Sequence, residues 1–192
     1  RRLAPVVRVA VDRDQSLERD PDAKAARVPR EVFGVIRAAL AQGPVLVHVP
    51  FAGYVTMLAC QTCRTAARCS HCHGPLQLGS GSETTSCGWC GKVAAGWRCV
   101  ECGERRLRSV RVGATRTAEE LGRAFPGVVV RQSAQGKVLE SVDATPALVI
   151  ATPGAEPAAD GGYAGAVLLD CTRALNRPDL RVAEECMRRW LS

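Results

Sequence analysis

Eight of the ten cysteines in this chain fall between residues 60 and 102, in four Cys-x-x-Cys pairs: Cys60/Cys63, Cys69/Cys72, Cys87/Cys90 and Cys99/Cys102. The links between successive pairs are 5, 14 and 8 residues long. Two thiolates two residues apart grip one face of a tetrahedral ion, and two such pairs complete a four-thiolate shell. Four pairs therefore imply two metal centres. Glycine follows the second cysteine at Gly91 and Gly103, where a knuckle turn favours positive φ and a Cβ would clash.

The link lengths bear on which pairs share an ion. Five residues between the first two pairs form a short link for folding both onto one metal, whereas 14 between the second and third allow a hairpin with knuckles face to face. Closing that hairpin brings the first and fourth pairs together at its base. The expected pairing is nested: Cys60, Cys63, Cys99 and Cys102 on one ion, Cys69, Cys72, Cys87 and Cys90 on the other. An interleaved pairing is the alternative.

Other uses of these cysteines fit less well. Cys69-Ser70-His71-Cys72-His73 spells the haem-attachment pattern, but a haem there leaves three pairs without a role. A redox Cys-x-x-Cys normally stands alone at a helix start. A disulfide framework suits a small secreted domain rather than a longer chain with a cysteine-poor body. Sets of four thiolates also suit iron–sulfur clusters, while the glycine-bearing knuckles favour zinc. His71 and His73 are read as spare side chains, and Cys171 and Cys186 as buried small hydrophobes.

The flanking sequence reads as an α/β domain. Strands are expected at 5–11, 44–50, 128–131, 146–152 and 165–170, most of them short continuous apolar runs. Amphipathic helices are expected over 28–43, 117–127 and from near Pro178 to the C-terminal end, with a polar loop at 12–27. Alternating strands and helices imply a parallel sheet with helices on its faces. The cysteine module interrupts it, giving residues 1–53, an insertion at 54–109, and 110–192. No apolar run approaches the roughly 20 residues that span a bilayer. The chain begins with Arg1 and stops on a helical pattern, so it reads as a piece of something longer.

Formal charge is +7, carried by 23 arginines and 3 lysines. Two four-thiolate zinc centres, each of formal charge −2, lower this to about +3. Arg64, Arg68, Arg98, Arg105 and Arg106 nevertheless crowd the module and are candidate contacts to a nucleic-acid backbone. Trp89 and Trp97 either stack on bases or fill the small core of the knuckles. Asp170 ends an apolar strand, as a functional carboxylate or as a cap for the following loop. The Gly-Lys at 136–137 lacks the rest of a P-loop, and no residues compose a catalytic site.

Several stretches carry a resemblance: "LAQGPVLVHVPFAGY", "ARCSHCHGPLQL", "CGWCG", "RCVECG", "GATRTAEELGRAFPG" and "VLLDCTRALNRPDLRVAEE". Over essentially all 192 residues the chain resembles the primosomal protein N′ family, the PriA-type replication-restart proteins. The resemblance implies a second RecA-like helicase lobe carrying a two-zinc insertion with the nested pairing, set near fork DNA and partner proteins in the cytoplasm. The chain departs from the family's motor motifs at Phe51 and Ala52, at residues 113–115, at 152–162, where no Lys-Gly occurs, and at Asp170, Cys171 and Thr172. The expected function is a restart factor that binds abandoned forks, single-stranded or forked DNA, and promotes primosome assembly and replicative helicase loading. Its partners are primosome and helicase-loading proteins, with single-stranded-DNA-binding protein as a further one. The departures imply that it is not an enzyme and that ATP binding is lost; the alternative is an active 3′-to-5′ ATP-dependent helicase.

Overall fold

A computed structural model describes residues 6, 7, 9, 28–52, 55–78, 84–175 and 179–191. The expected strand at 5–11 lies mostly outside these residues, as do the loop at 12–27 and Pro178, the expected start of the last helix. The body is built on four parallel strands: β1 (Val45–His48), β6 (Val129–Ser133), β8 (Ala147–Ala151) and β10 (Gly165–Leu168), in the order β10-β1-β8-β6. All five residues of β8 are buried, which is why this stretch reads as a continuous apolar run instead of an alternating one.

Helix α1 (Arg30–Leu40) begins after Pro29, whose ring fixes the φ needed at a helix start, and buries Ile36, Ala39 and Leu40. Helix α2 (Ala114–Ala124) begins three residues before the expected start at Thr117. Gly113 explains the difference: its φ of 125° is open to glycine alone, and its carbonyl accepts both the N–H and the hydroxyl of Thr117. Both helices cover one face of the sheet, where Val45, Val47, Leu148, Ile150 and Leu121 share one core. Phe33 of α1 stacks on Phe125 at 6.0 Å, with the Arg37 guanidinium over the same ring.

Three features go beyond the sequence reading: a two-residue parallel ladder joining β7 (Ser141–Val142) to β9 (Ala158–Ala159), a one-turn helix α3 (Cys171–Ala174), and a tight turn at 134–137. That turn holds the Gly-Lys pair in a two-way backbone bridge between Ala134 and Lys137. The last helix, α4 (Val182–Trp190), buries Cys186.

The insertion leaves from the carboxyl end of β1. It rises on β2 (Val55–Cys60) and returns on β5 (Leu107–Val112), paired antiparallel from Val55↔Val112 to Cys60↔Leu107. The Ala114 N–H donates to the Phe51 carbonyl at 2.9 Å, closing the base of this stalk onto the start of α2. Between the stalk strands a short hairpin pairs β3 (Leu76–Leu78) with β4 (Thr85–Cys87). A second, smaller core of Leu58, Ala67, Cys69, Leu76 and Cys87 serves the insertion. The fold is thus α/β with a parallel sheet of four strands, consistent with a RecA-like lobe bearing a cysteine module. Among the described residues no helix is long and apolar enough to cross a membrane.

On the face away from α1 and α2, His48 lies in a cleft with Pro50, Pro153, Ala174, Glu185, Cys186, Arg189 and Trp190. Its Nε2 sits 3.1 Å from Oε1 of Glu156 without the alignment of a hydrogen bond. Burial, aided by Arg189 and opposed by Glu156, holds its pKa below 6.5. A depressed histidine contributes stability that is complete above the unfolded-state value and is lost as pH falls through the folded one. The melting temperature should therefore drop on acidification below about pH 6.5, and His48→Gln should shrink that drop. An unchanged pH dependence in the variant would remove His48 from this role.

Candidate metal centre

The four Cys-x-x-Cys pairs adopt one repeated knuckle. In each, the N–H of the first cysteine donates to the carbonyl five residues on: Cys60 to Thr65, Cys69 to Gly74, Cys87 to Lys92 and Cys99 to Glu104, at 2.8–2.9 Å. The residue after the second cysteine is left-handed every time: Arg64 (φ 63°), His73 (59°), Gly91 (71°) and Gly103 (73°). Its N–H returns to the first cysteine's carbonyl at His73, Gly91 and Gly103, at 3.0 Å. Left-handed backbone costs a residue with a Cβ roughly 1–2 kcal/mol, so Arg64 and His73 hold strained positions that glycine fills in the other two knuckles. His73, the residue that completed the haem-like pattern, serves as a turn residue.

These knuckles bring the sulfurs into two groups of four. Cys60, Cys63, Cys99 and Cys102 form a stalk centre, where β2 ends and β5 is about to begin; Cys69, Cys72, Cys87 and Cys90 form a hairpin centre around β3 and β4. Within each group all four Sγ atoms lie within 4.8 Å of one another. The grouping is the nested one, not the interleaved one. Sγ–Sγ distances within the groups include 3.5 Å for Cys60–Cys102 and Cys63–Cys99, 3.9 Å for Cys69–Cys90 and 3.4 Å for Cys72–Cys87. A tetrahedron of sulfurs about 2.3 Å from a central ion has edges of about 3.8 Å, and a disulfide is about 2.05 Å long. The groups match the first figure and not the second, so each could hold one metal ion.

The electrostatics of the thiols favour a cation. The Thr65 hydroxyl and N–H hold Cys63 at about 6, and the N–H groups of Cys72 and His71 hold Cys69 at about 7, both below the usual 9.0. The Gly74 N–H favours the Cys72 thiolate, but burial and the neighbouring sulfurs of Cys87, Cys90 and Cys69 outweigh it and push this thiol up to about 12. Cys102 is pushed up to about 12 in the same way, against the help of the Glu104 N–H. Four thiols this close cannot all ionise by themselves. A divalent cation at their centre removes that penalty.

Close approach of the hairpin knuckles depends on Gly74. A Cβ at this buried residue would meet the Trp89 ring at 2.8 Å and Cys87 Sγ at 2.9 Å. Trp97 is packed in the module core with its indole N–H on the Arg68 carbonyl at 3.0 Å, whereas Trp89 keeps 42% of its surface exposed. Arg64, Arg98 and Arg105 are exposed. Arg68 reaches the His73 carbonyl at 3.5 Å, and Arg106 is bound to Glu104 at 3.1 Å. Cys171 and Cys186 lie apart from both tetrads, on α3 and α4, half-buried and buried respectively. Asp170 is left-handed (φ 54°), accepts the N–H groups of Arg173 and Ala174 at its carbonyl, and pairs with the Arg173 side chain at 3.2 Å.

Sequence reasoning missed Glu104. Its carboxylate is held at about 2 by the Arg106 side chain and N–H, the Thr62 hydroxyl and the Arg105 N–H. The signal was present, an acid directly after the last knuckle glycine, but nothing in the spacing linked it to Thr62, 42 residues earlier.

No protein-family model matches the chain. Among curated proteins it is 54% identical over 176 residues to the probable replication restart protein PriA of Mycobacterium tuberculosis strain H37Rv, covering 91% of this chain and 27% of that protein. The Mycobacterium bovis protein of the same name matches equally well. The Mycobacterium leprae one is 51% identical over 194 aligned residues, covering 100% of this chain and 30% of its own length. The chain therefore spans under a third of the length of these relatives.

Gly74→Ala should lose one metal ion per chain and destabilise the module by about 1–3 kcal/mol, as overpacking typically does. His73→Gly should keep both ions with equal or higher thermal stability. Metal content after dialysis and melting temperature check both; metal loss in the His73 variant would mean that the imidazole is a ligand after all.

Proposed function

We propose that this chain, a homologue of replication restart protein PriA along its length, acts in replication restart as a metal-bearing, helicase-like lobe that engages fork DNA and scaffolds assembly of the primosome. The observation that carries this reading is identity of 51–54% to PriA proteins over 91–100% of the chain, joined to two four-cysteine groups of tetrahedral dimensions. The ions are zinc: all-thiolate tetrahedral shells suit it, and a closed shell leaves no position for a reacting water, so their role is structural.

Most of the departures from the family's motor motifs lie at one edge of the sheet. Phe51 and Ala52 follow β1, residues 152–162 follow β8, and Asp170, Cys171 and Thr172 follow β10. Residues 113–115 open α2, beside Phe51. These residues lie at or near the carboxyl edge of the parallel sheet, where α/β proteins bind their ligands, except that the 152–162 segment only begins there and runs back toward the amino edge, where the Ala164 N–H meets the Pro44 carbonyl. Asp170 is engaged by Arg173 and the turn of α3. This arrangement supports loss of motor function and not of the scaffold. Fork DNA meets Arg64, Arg98 and Arg105, whose guanidinium groups bind phosphate, and Trp89, 42% exposed, stacks on an unpaired base. The protein works in the cytoplasm with helicase-loading proteins.

The complete protein should show two zinc ions per chain by elemental analysis; one ion, or iron, would overturn the metal assignment. Its ATP turnover should stay at background when forked DNA is added. Robust DNA-stimulated turnover with 3′-to-5′ unwinding would establish the rival reading of an active helicase. Fork binding should weaken about a hundredfold between about 50 and 200 mM salt if about four phosphates are neutralised. Replacing Arg64, Arg98 and Arg105 together by alanine should flatten the slope by about three. An unchanged slope would remove these arginines from the DNA surface.

A further inference from the structure

The two centres share one backbone arrangement, a knuckle at the end of a ladder facing a knuckle that precedes the partner strand. In the hairpin centre Cys87 stands on β4 opposite Leu76, so the backbone ladder and the contact of Trp89 with Gly74 set its knuckles against each other. In the stalk centre Cys60 likewise stands on the ladder opposite Leu107, Cys99 and Cys102 precede β5 as Cys69 and Cys72 precede β3, and the Gln61 N–H donates to the Arg106 carbonyl at 3.0 Å. The stalk centre has a side-chain tie as well, across the distance from Thr62 in the first knuckle to the entry of β5.

Glu104 spans that distance. Its Oε2 accepts from the Thr62 hydroxyl at 2.9 Å, and Thr62 lies between Cys60 and Cys63 in the opposite knuckle. Its Oε1 accepts the N–H groups of Arg105 and Arg106 at 2.8 and 3.1 Å, fixing the chain as it enters β5. The Arg106 guanidinium binds Oε2 from Nη2 at 3.1 Å and Nε at 3.3 Å. A carboxylate next to a four-thiolate centre of formal charge −2 is repelled by it. Its presence is therefore explained by what it joins and not by the charge it adds.

We propose that Glu104 is the positioning residue of the stalk centre, tying its two knuckles together so that the four sulfurs stand ready for the ion. This rests on the metal-centre reading above. Partners of this kind, which orient ligands without touching the metal, typically change metal affinity 10- to 100-fold. Glu101, exposed in the same knuckle, supplies a control: Glu101→Ala removes the same charge without cutting the bonds to Thr62 and the β5 entry.

The test follows zinc release from the complete protein to a chromogenic chelator, with time-resolved alkylation of the cysteines read by peptide mass spectrometry. Glu104→Ala should release one of the two ions about tenfold or more faster, with Cys60, Cys63, Cys99 and Cys102 alkylated first. Glu104→Gln, which keeps one acceptor oxygen, should fall between this and wild type, and it carries the test if the alanine variant does not fold. Glu101→Ala should release both ions as wild type does. Release from Glu104→Ala and Glu104→Gln at the wild-type rate, earlier labelling of the hairpin centre, or equal acceleration by Glu101→Ala would overturn the role of Glu104 while leaving the two centres standing. A wild-type protein that carries no metal would overturn both.

Discussion

Four sulfurs confined within 4.8 Å of one another repel as thiolates and resist ionising, and this tension governs the module. It appears in the opposite behaviour of neighbouring thiols, Cys69 held at about 7 and Cys72 pushed to about 12. The backbone has already accepted costs to gather them, including left-handed Arg64 and His73. A small core and two short ladders oppose that penalty. A metal ion in each group would turn the same crowding into favourable bonds, since binding free energy at such sites is folding free energy.

The body presents this module from a fixed base. The parallel sheet supplies the rigid edge, and β1 delivers the chain to its carboxyl end. The contact between Phe51 and Ala114 closes the stalk directly onto α2. Two separate cores, one under α1 and α2 and one within the knuckles, give the body and the module their own support. On the proposed function the lobe has given up coupling to ATP and kept the surface that meets DNA and partners.

Much of this was legible in the sequence for a physical reason: thiolate spacing and buried parallel strands leave strong local signatures. The nested grouping followed from link lengths, and the apolar runs at 146–152 and 165–170 gave the strands β8 and β10. Side-chain bonds between distant segments were illegible. Nothing local couples Thr62 to Glu104, or His48 to Glu156 and Arg189. Helix α2 starts at Ala114, before the expected Thr117, whose hydroxyl bonds back to Gly113 from inside the helix, a side-chain bond that the local pattern does not announce. The glycine after the second cysteine was read as helpful at two knuckles; the same left-handed turn at Arg64 and His73 had no glycine to announce it.

The central claim is that two ions sit in nested four-sulfur shells, one at the stalk and one at the hairpin. An anomalous difference map recorded at the zinc absorption edge tests it most directly. The account predicts two peaks, one among Cys60, Cys63, Cys99 and Cys102 and one among Cys69, Cys72, Cys87 and Cys90, each with four sulfurs at about 2.3 Å. A single peak, a histidine in either shell, or a shell combining Cys60/Cys63 with Cys69/Cys72 would contradict it.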